Sequence, residues 1–160
     1  MTQPKTPPVT TKGRYASGVA ALLMAVVLNH FGDRLLNVNI EVFTGLSYFS
    51  PQWVLDVFFV PLLAGIVVSM IYGMGGKWLC YFPPIIVRAI NYYHMYATGD
   101  YPAGGALMPL GWWGFFVILV VEAAVIGGVI GEVILKKTYG RRPRHLIFNS
   151  KSPPLQDPGA

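Results

Sequence analysis

Residues 112–135 are almost free of charge: Glu122 and Glu132 are the only ionisable acids or bases in a stretch otherwise built from Trp, Phe, Val, Ile, Leu, Ala and Gly. A helix that crosses a hydrocarbon core of about 30 Å needs about 20 mostly apolar residues. Similar stretches occupy residues 15–31 and 53–72, and a more polar one occupies residues 78–96. The whole chain is 54% hydrophobic and 12% charged, about half the charged share of an ordinary soluble domain. The expected fold is an all-α membrane protein of four transmembrane helices. Residues 15–135 form its membrane domain, between an N-terminal tail of residues 1–14 and a basic, proline-containing tail of residues 136–160.

Basic residues orient the four spans. With both termini inside, Lys5, Lys12, Arg14, Lys77, Lys136, Lys137, Arg141, Arg142, Arg144 and Lys151 are cytoplasmic. Only Arg34 falls in an outside loop, and Arg88 lies within a span. Lysine and arginine accumulate on the cytoplasmic side of membrane proteins, so this asymmetry favours N-in, C-in over a three-span arrangement, which would expose a basic terminus. Trp53, Trp112 and Trp113 mark the outer headgroup level, and Tyr72, Trp78 and Tyr81 the inner one. The expected location is a bacterial inner membrane. The first apolar run ends in Asn29-His30-Phe31 without a small-residue cleavage pattern, so it reads as a retained helix and not a removed signal.

The remaining segments have simpler readings. Pro83 and Pro84 lie near the start of the third span, where proline is tolerated, so a regular helix is expected from about there. Residues 32–52 interleave Val38, Ile40, Val42, Phe43, Leu46 and Phe49 with Asn39, Glu41 and Thr44. This pattern predicts a partly apolar outside loop, either an interfacial helix or a plug against the outer ends of the bundle. The glycines between Gly73 and Lys77 predict a tight cytoplasmic turn. A single cysteine, Cys80, excludes an internal disulfide and reads as a small apolar residue in a helix.

Helices in lipid associate through close backbone approach over small residues. Three spans show such residues at spacing four: Ser17, Ala21 and Ala25; Gly65, Ser69 and Gly73; Ala123, Gly127 and Gly131. These triplets are the expected helix-packing seams, either within the bundle or, for the last span, against another subunit.

Charge inside a span is costly unless paired. Arg88 and Glu122 each lie about ten residues, roughly 15 Å, into their spans, so they are expected to form an intramembrane charge pair. That pair reads first as a clamp between helices and second as a relay. His30, Asp56 and His94 lie near the outer span ends, with Asp33 and Asp100 in the adjoining loops. Their types suit a divalent ion, but they lack a local ligand motif, so no metal site is expected. Glu132 precedes Lys136 by four residues and reads as an anchoring helical pair.

No nucleophile elbow, zinc helix or phosphate loop is present. The chain is therefore expected to be non-enzymatic and to use no cofactor. The net charge of +5 concentrates in the last tail, where it suits anionic lipid headgroups and not nucleic acid. Four short helices enclose little volume. The expected function is an accessory or scaffold subunit of a multi-subunit membrane complex, with other integral membrane subunits or copies of itself as partners. The alternative is a small homo-oligomeric transporter or channel using Arg88 and Glu122.

Overall fold

A computed structural model describes residues 11–45, 49–99, 101–102 and 104–139. The first ten residues, Leu46, Asp100 and the basic tail from residue 140 onward lie outside the described residues, so the tail's expected meeting with headgroups does too. The described chain is mostly helical. Helix α1 spans Thr11–Leu36, and a two-residue strand β1 follows at Val42–Phe43. A long rod covers Pro51–Tyr72 as α2 (Pro51–Val54), a π-turn (Leu55–Phe59) and α3 (Val60–Tyr72). Then come a single turn α4 (Gly76–Leu79), α5 (Phe82–Thr98), β2 (Ala106–Leu107) and α6 (Leu110–Tyr139).

Three helices are long and apolar enough to cross a membrane: Gly13–Leu36, Pro51–Tyr72 and Leu110–Thr138. The expected third span differs. Helix α5 has 17 residues and carries Arg88, Asn91 and His94, and it is shorter than the other three. It starts at Phe82, with Pro83 and Pro84 in its first turn, where a missing N–H costs no intrahelical bond. The preceding residues 76–79 form the separate turn α4.

Local sequence explains the breaks. Ser50 caps α2 by accepting a hydrogen bond from the Trp53 N–H at 3.2 Å, with Pro51 at the first helical position. Proline 61 lacks an N–H, and in a regular helix its ring would press on the carbonyl of residue 57. The chain widens just before it, and the Val60 N–H reaches back to the Leu55 carbonyl. Helix α1 runs past residue 31 to Leu36 and stops at Asn37, whose φ of 52° is the left-handed conformation that ends helices.

The loop after α1 is the plug, and no interfacial helix forms among its described residues. β1 pairs antiparallel with β2, matching Val42 with Leu107 and Phe43 with Ala106. The Met108 N–H donates to the Glu41 carbonyl at 2.8 Å. This join presses Val38, Ile40 and Met108 onto Trp53, Val57, Phe116 and Val120 to make one apolar core.

A second core lies further along the bundle and joins Ala21, Ala25, Ala64, Val68, Cys80 and Ala124. Helix α3 is central, between α1 and α6. A methyl group built on Gly65 would land on the Ala124 carbonyl, and one on Gly127 would land on the Leu62 carbonyl. The helices therefore approach backbone to backbone. Ser69 seals the seam by donating its hydroxyl to the Gly128 carbonyl at 2.8 Å, and Gly131 packs on Ser69 and Ile66.

Candidate functional site

The first turns of α5 turn Pro83, Pro84, Val87 and Arg88 toward the protein, while Phe82, Ile85, Ile86 and Ile90 face outward. Helical spacing of three and four residues does this: residues 84, 88 and 91 lie on one face. Arg88 is 1% exposed, so its charge must be met inside the molecule.

Three acids meet it, each delivered by a different element. Arg88 Nη2 donates to Asp33 Oδ1 at 2.6 Å and to Asp56 Oδ2 at 3.1 Å. Its Nη1 reaches Glu41 Oε1 at 3.5 Å. Asp33 comes from the last turn of α1, Glu41 from the residue before β1, and Asp56 from the π-turn. Asn91 lies one turn beyond Arg88 and donates Nδ2 to Asp33 Oδ2 at 3.1 Å, so both Asp33 oxygens are occupied. An acid in the last turn of a helix opposes the negative end of the helix dipole. The charge-assisted contact to Arg88 offsets that conflict.

The node is unbalanced. Its three carboxyl groups face one guanidinium, and Glu41, Asp56 and Arg88 are essentially inaccessible. Glu41 Oε2, Asp56 Oδ1 and Arg88 Nε have no hydrogen-bond partner among the described residues. Full ionisation would leave buried negative charge, which is disfavoured at low dielectric, so the arrangement favours a retained proton. Burial raises the Glu41 carboxyl above its ordinary value, against the opposing pull of Arg88.

This geometry corrects the expected charge pair. Arg88 does not meet Glu122, which sits exposed on α6. The depth argument located both residues along their helices but said nothing of rotation. Asp33 is corrected as well, from a loop residue to a helical one. Asp56 belongs to the Arg88 node, whereas His30 and His94 line an adjoining half-open cleft of about 340 Å³ whose wall includes Asp33 and Asn91 of that node. Among the described residues, no group of three or more His, Cys, Asp or Glu side chains is placed to hold a metal ion. A simpler signal pointed to the node: Asp33, Glu41 and Asp56 cluster in sequence between the first apolar run and the start of the second, where Arg34 is the only strong base.

The expected packing residues divide. Ala21, Ala25, Gly65, Ser69, Ala123, Gly127 and Gly131 are buried. Gly73 is not a seam residue: at φ 90° it ends α3, and a side chain there would meet nothing within 4 Å. Ser17 is half-buried and turns its hydroxyl onto the Arg14 carbonyl of its own helix. Gly128 and Ala124 belong to the seam although they fall outside the spacing-four triplet.

Glu132 also changes role. It is buried, and its Oε1 accepts the N–H groups of Gly75 and Lys77 at 2.9 and 3.2 Å. It therefore holds the turn between α3 and α5 and is no surface partner of Lys136. Cys80 packs in the second core, with its thiol directed at the Gly76 carbonyl at 3.3 Å. No family model matches this chain, and no curated protein or solved structure matches it either.

Proposed function

We propose that this protein is a non-enzymatic scaffold subunit of a multi-subunit membrane complex. It would sit in a bacterial inner membrane with four spans and both termini in the cytoplasm, α5 being the span that hides its polar face inside. The observation that carries the reading is the α3–α6 seam. Gly65 and Gly127 bring the two backbones into contact along the centre of the bundle, which leaves no room there for a solute path. Two clefts lie toward the helix ends, one beside Arg14, Tyr72 and Leu79 and one beside His30 and His94.

The Arg88 node supports the same reading. Its guanidinium is engaged by groups from α1, the β1 loop and the π-turn, which suits a clamp that locks several elements together. The separation of Arg88 from Glu122 removes the paired pathway on which a transporter reading depended. Large apolar side chains such as Leu23, Ile90, Ile118 and Ile126 are exposed on several faces, as a helix bundle surrounded by lipid and neighbouring helices requires.

Gentle detergent extraction from the native host, followed by native mass measurement, tests the proposal. The expected result is a stoichiometric assembly containing at least one unrelated membrane subunit. A pure homo-oligomer that conducts ions or solutes in reconstituted vesicles would overturn it.

A further inference from the structure

Glu122 is left in an unusual place. At about 1.5 Å per residue it lies about 18 Å along α6 from Leu110, near the middle of the apolar segment Leu110–Thr138. At 100° per residue it points almost directly away from the Ala124–Gly128–Gly131 seam that grips α3. It is exposed, and the neighbours on its face are Phe115, Ile118, Ile126, Val129 and Val133, all exposed as well. These residues follow one another at steps of three or four, the pattern of a helix-packing stripe, with Glu122 near its middle.

A carboxyl group facing lipid at this depth is costly, so a residue there marks a contact or a pathway. The chain cannot satisfy it internally, because Arg88 is engaged by Asp33, Glu41 and Asp56. A second copy cannot supply a cation either. Among the described residues every other Lys and Arg lies near a helix end, His30 and His94 line the cleft beside the Arg88 node, and a symmetric pairing of α6 would set Glu122 against Glu122. The complement is a cation from a different chain.

We infer that the Phe115–Glu122–Val133 stripe of α6 docks a transmembrane helix of another protein that carries a Lys, Arg or His side chain near its middle. Beta-branched and aromatic side chains supply the packing surface above and below the charge. The ion pair sets the register, as single polar residues do in helical seams. This inference rests on the scaffold reading and names the chemistry of one partner.

A photo-crosslinking amino acid placed singly at Ile118, Ile126, Leu23 and Ile90 in the full chain, in native membranes, separates the two. The inference expects protein adducts from positions 118 and 126, with the crosslinked segment identified as a transmembrane helix containing a basic residue. Glu122→Leu should reduce those adducts at least fivefold while leaving the melting temperature of the purified protein unchanged, since among the described residues no side chain holds Glu122. Glu122→Lys should abolish them, and replacing the partner's basic residue with Glu should restore them. Adducts that survive Glu122→Leu, self-adducts, or a captured helix without a basic residue would overturn the inference. Protein adducts confined to positions 23 or 90 would also overturn it but leave the scaffold reading standing. Lipid adducts alone at all four positions would overturn both.

Discussion

One end of the molecule is held by a single guanidinium, and its centre is held by missing side chains. At the Arg88 node four elements meet through three acids, in contacts of 2.6–3.5 Å that are strong, few and directional. Along the α3–α6 seam Gly65, Gly127, Gly128 and Gly131 contribute no large side chain, and the gain is a dense row of backbone contacts. Each atom pair there is worth only about 0.1–0.2 kcal/mol, so the seam depends on number. The difference lies in how each fails. The node fails when one group is removed, because Glu41 and Asp56 are left fully buried without their cation. The seam fails when one group is added, because a backbone cannot move aside locally.

The largest expected effect is at the node. Arg88→Met leaves three buried carboxyls without their cation and should destabilise the protein by about 3–5 kcal/mol, measured by denaturation in detergent. A double-mutant cycle sharpens this result. Arg88→Met combined with Asp33→Asn should show strong coupling, and combined with Glu122→Leu it should be additive. Coupling to Glu122 would contradict the geometry.

Next is the seam. Gly127→Leu places a side chain onto the Leu62 carbonyl and should cost about 1–3 kcal/mol or more, with α3 and α6 forced apart. Spin labels on the two helices would read the separation as an increased distance. An unchanged distance and melting temperature would mean that the helices do not touch at this point. Removing the hydroxyl that seals the same seam, Ser69→Ala, should cost only about 0.6 kcal/mol, the scale of interhelical hydrogen bonds in membranes. A loss as large as that of Gly127→Leu would show that the seam relies on one directional bond, and the contrast between the two regions would fail.

The smallest effect concerns pH. The folded Glu41 carboxyl is raised above its unfolded value, so its contribution to stability is present at acidic pH and is lost as pH rises through the folded value. Glu41→Gln should flatten this part of the stability profile, with its relative benefit greatest at neutral and alkaline pH. A Glu41→Gln profile parallel to that of the unmodified protein would show that this carboxyl does not titrate with folding.

The long apolar runs and the near absence of charge within them were decided by sequence alone. Apolarity over 20 residues is a local property, and no tertiary contact is needed to read it. The same holds for the glycine turn near Gly75 and the proline start of α5, where allowed backbone angles dictate the outcome. Small residues at spacing four marked most of the seam for a similar reason, since helical periodicity fixes which residues share a face.

The partners of Arg88 were decided only in three dimensions. Distance along a chain gives depth in the bundle, but pairing also depends on how each helix is rotated, and that is set by the packing of its other face. Helix α1 had to continue to Leu36 to carry Asp33 inward, the π-turn before Pro61 had to present Asp56, and the β1–β2 join had to bring in Glu41. The glycine seam turned the opposite side of α6 onto α3 and left Glu122 facing out. The close backbone contact that chose that rotation is a relation between helices separated by more than fifty residues, so no local reading of either one contains it.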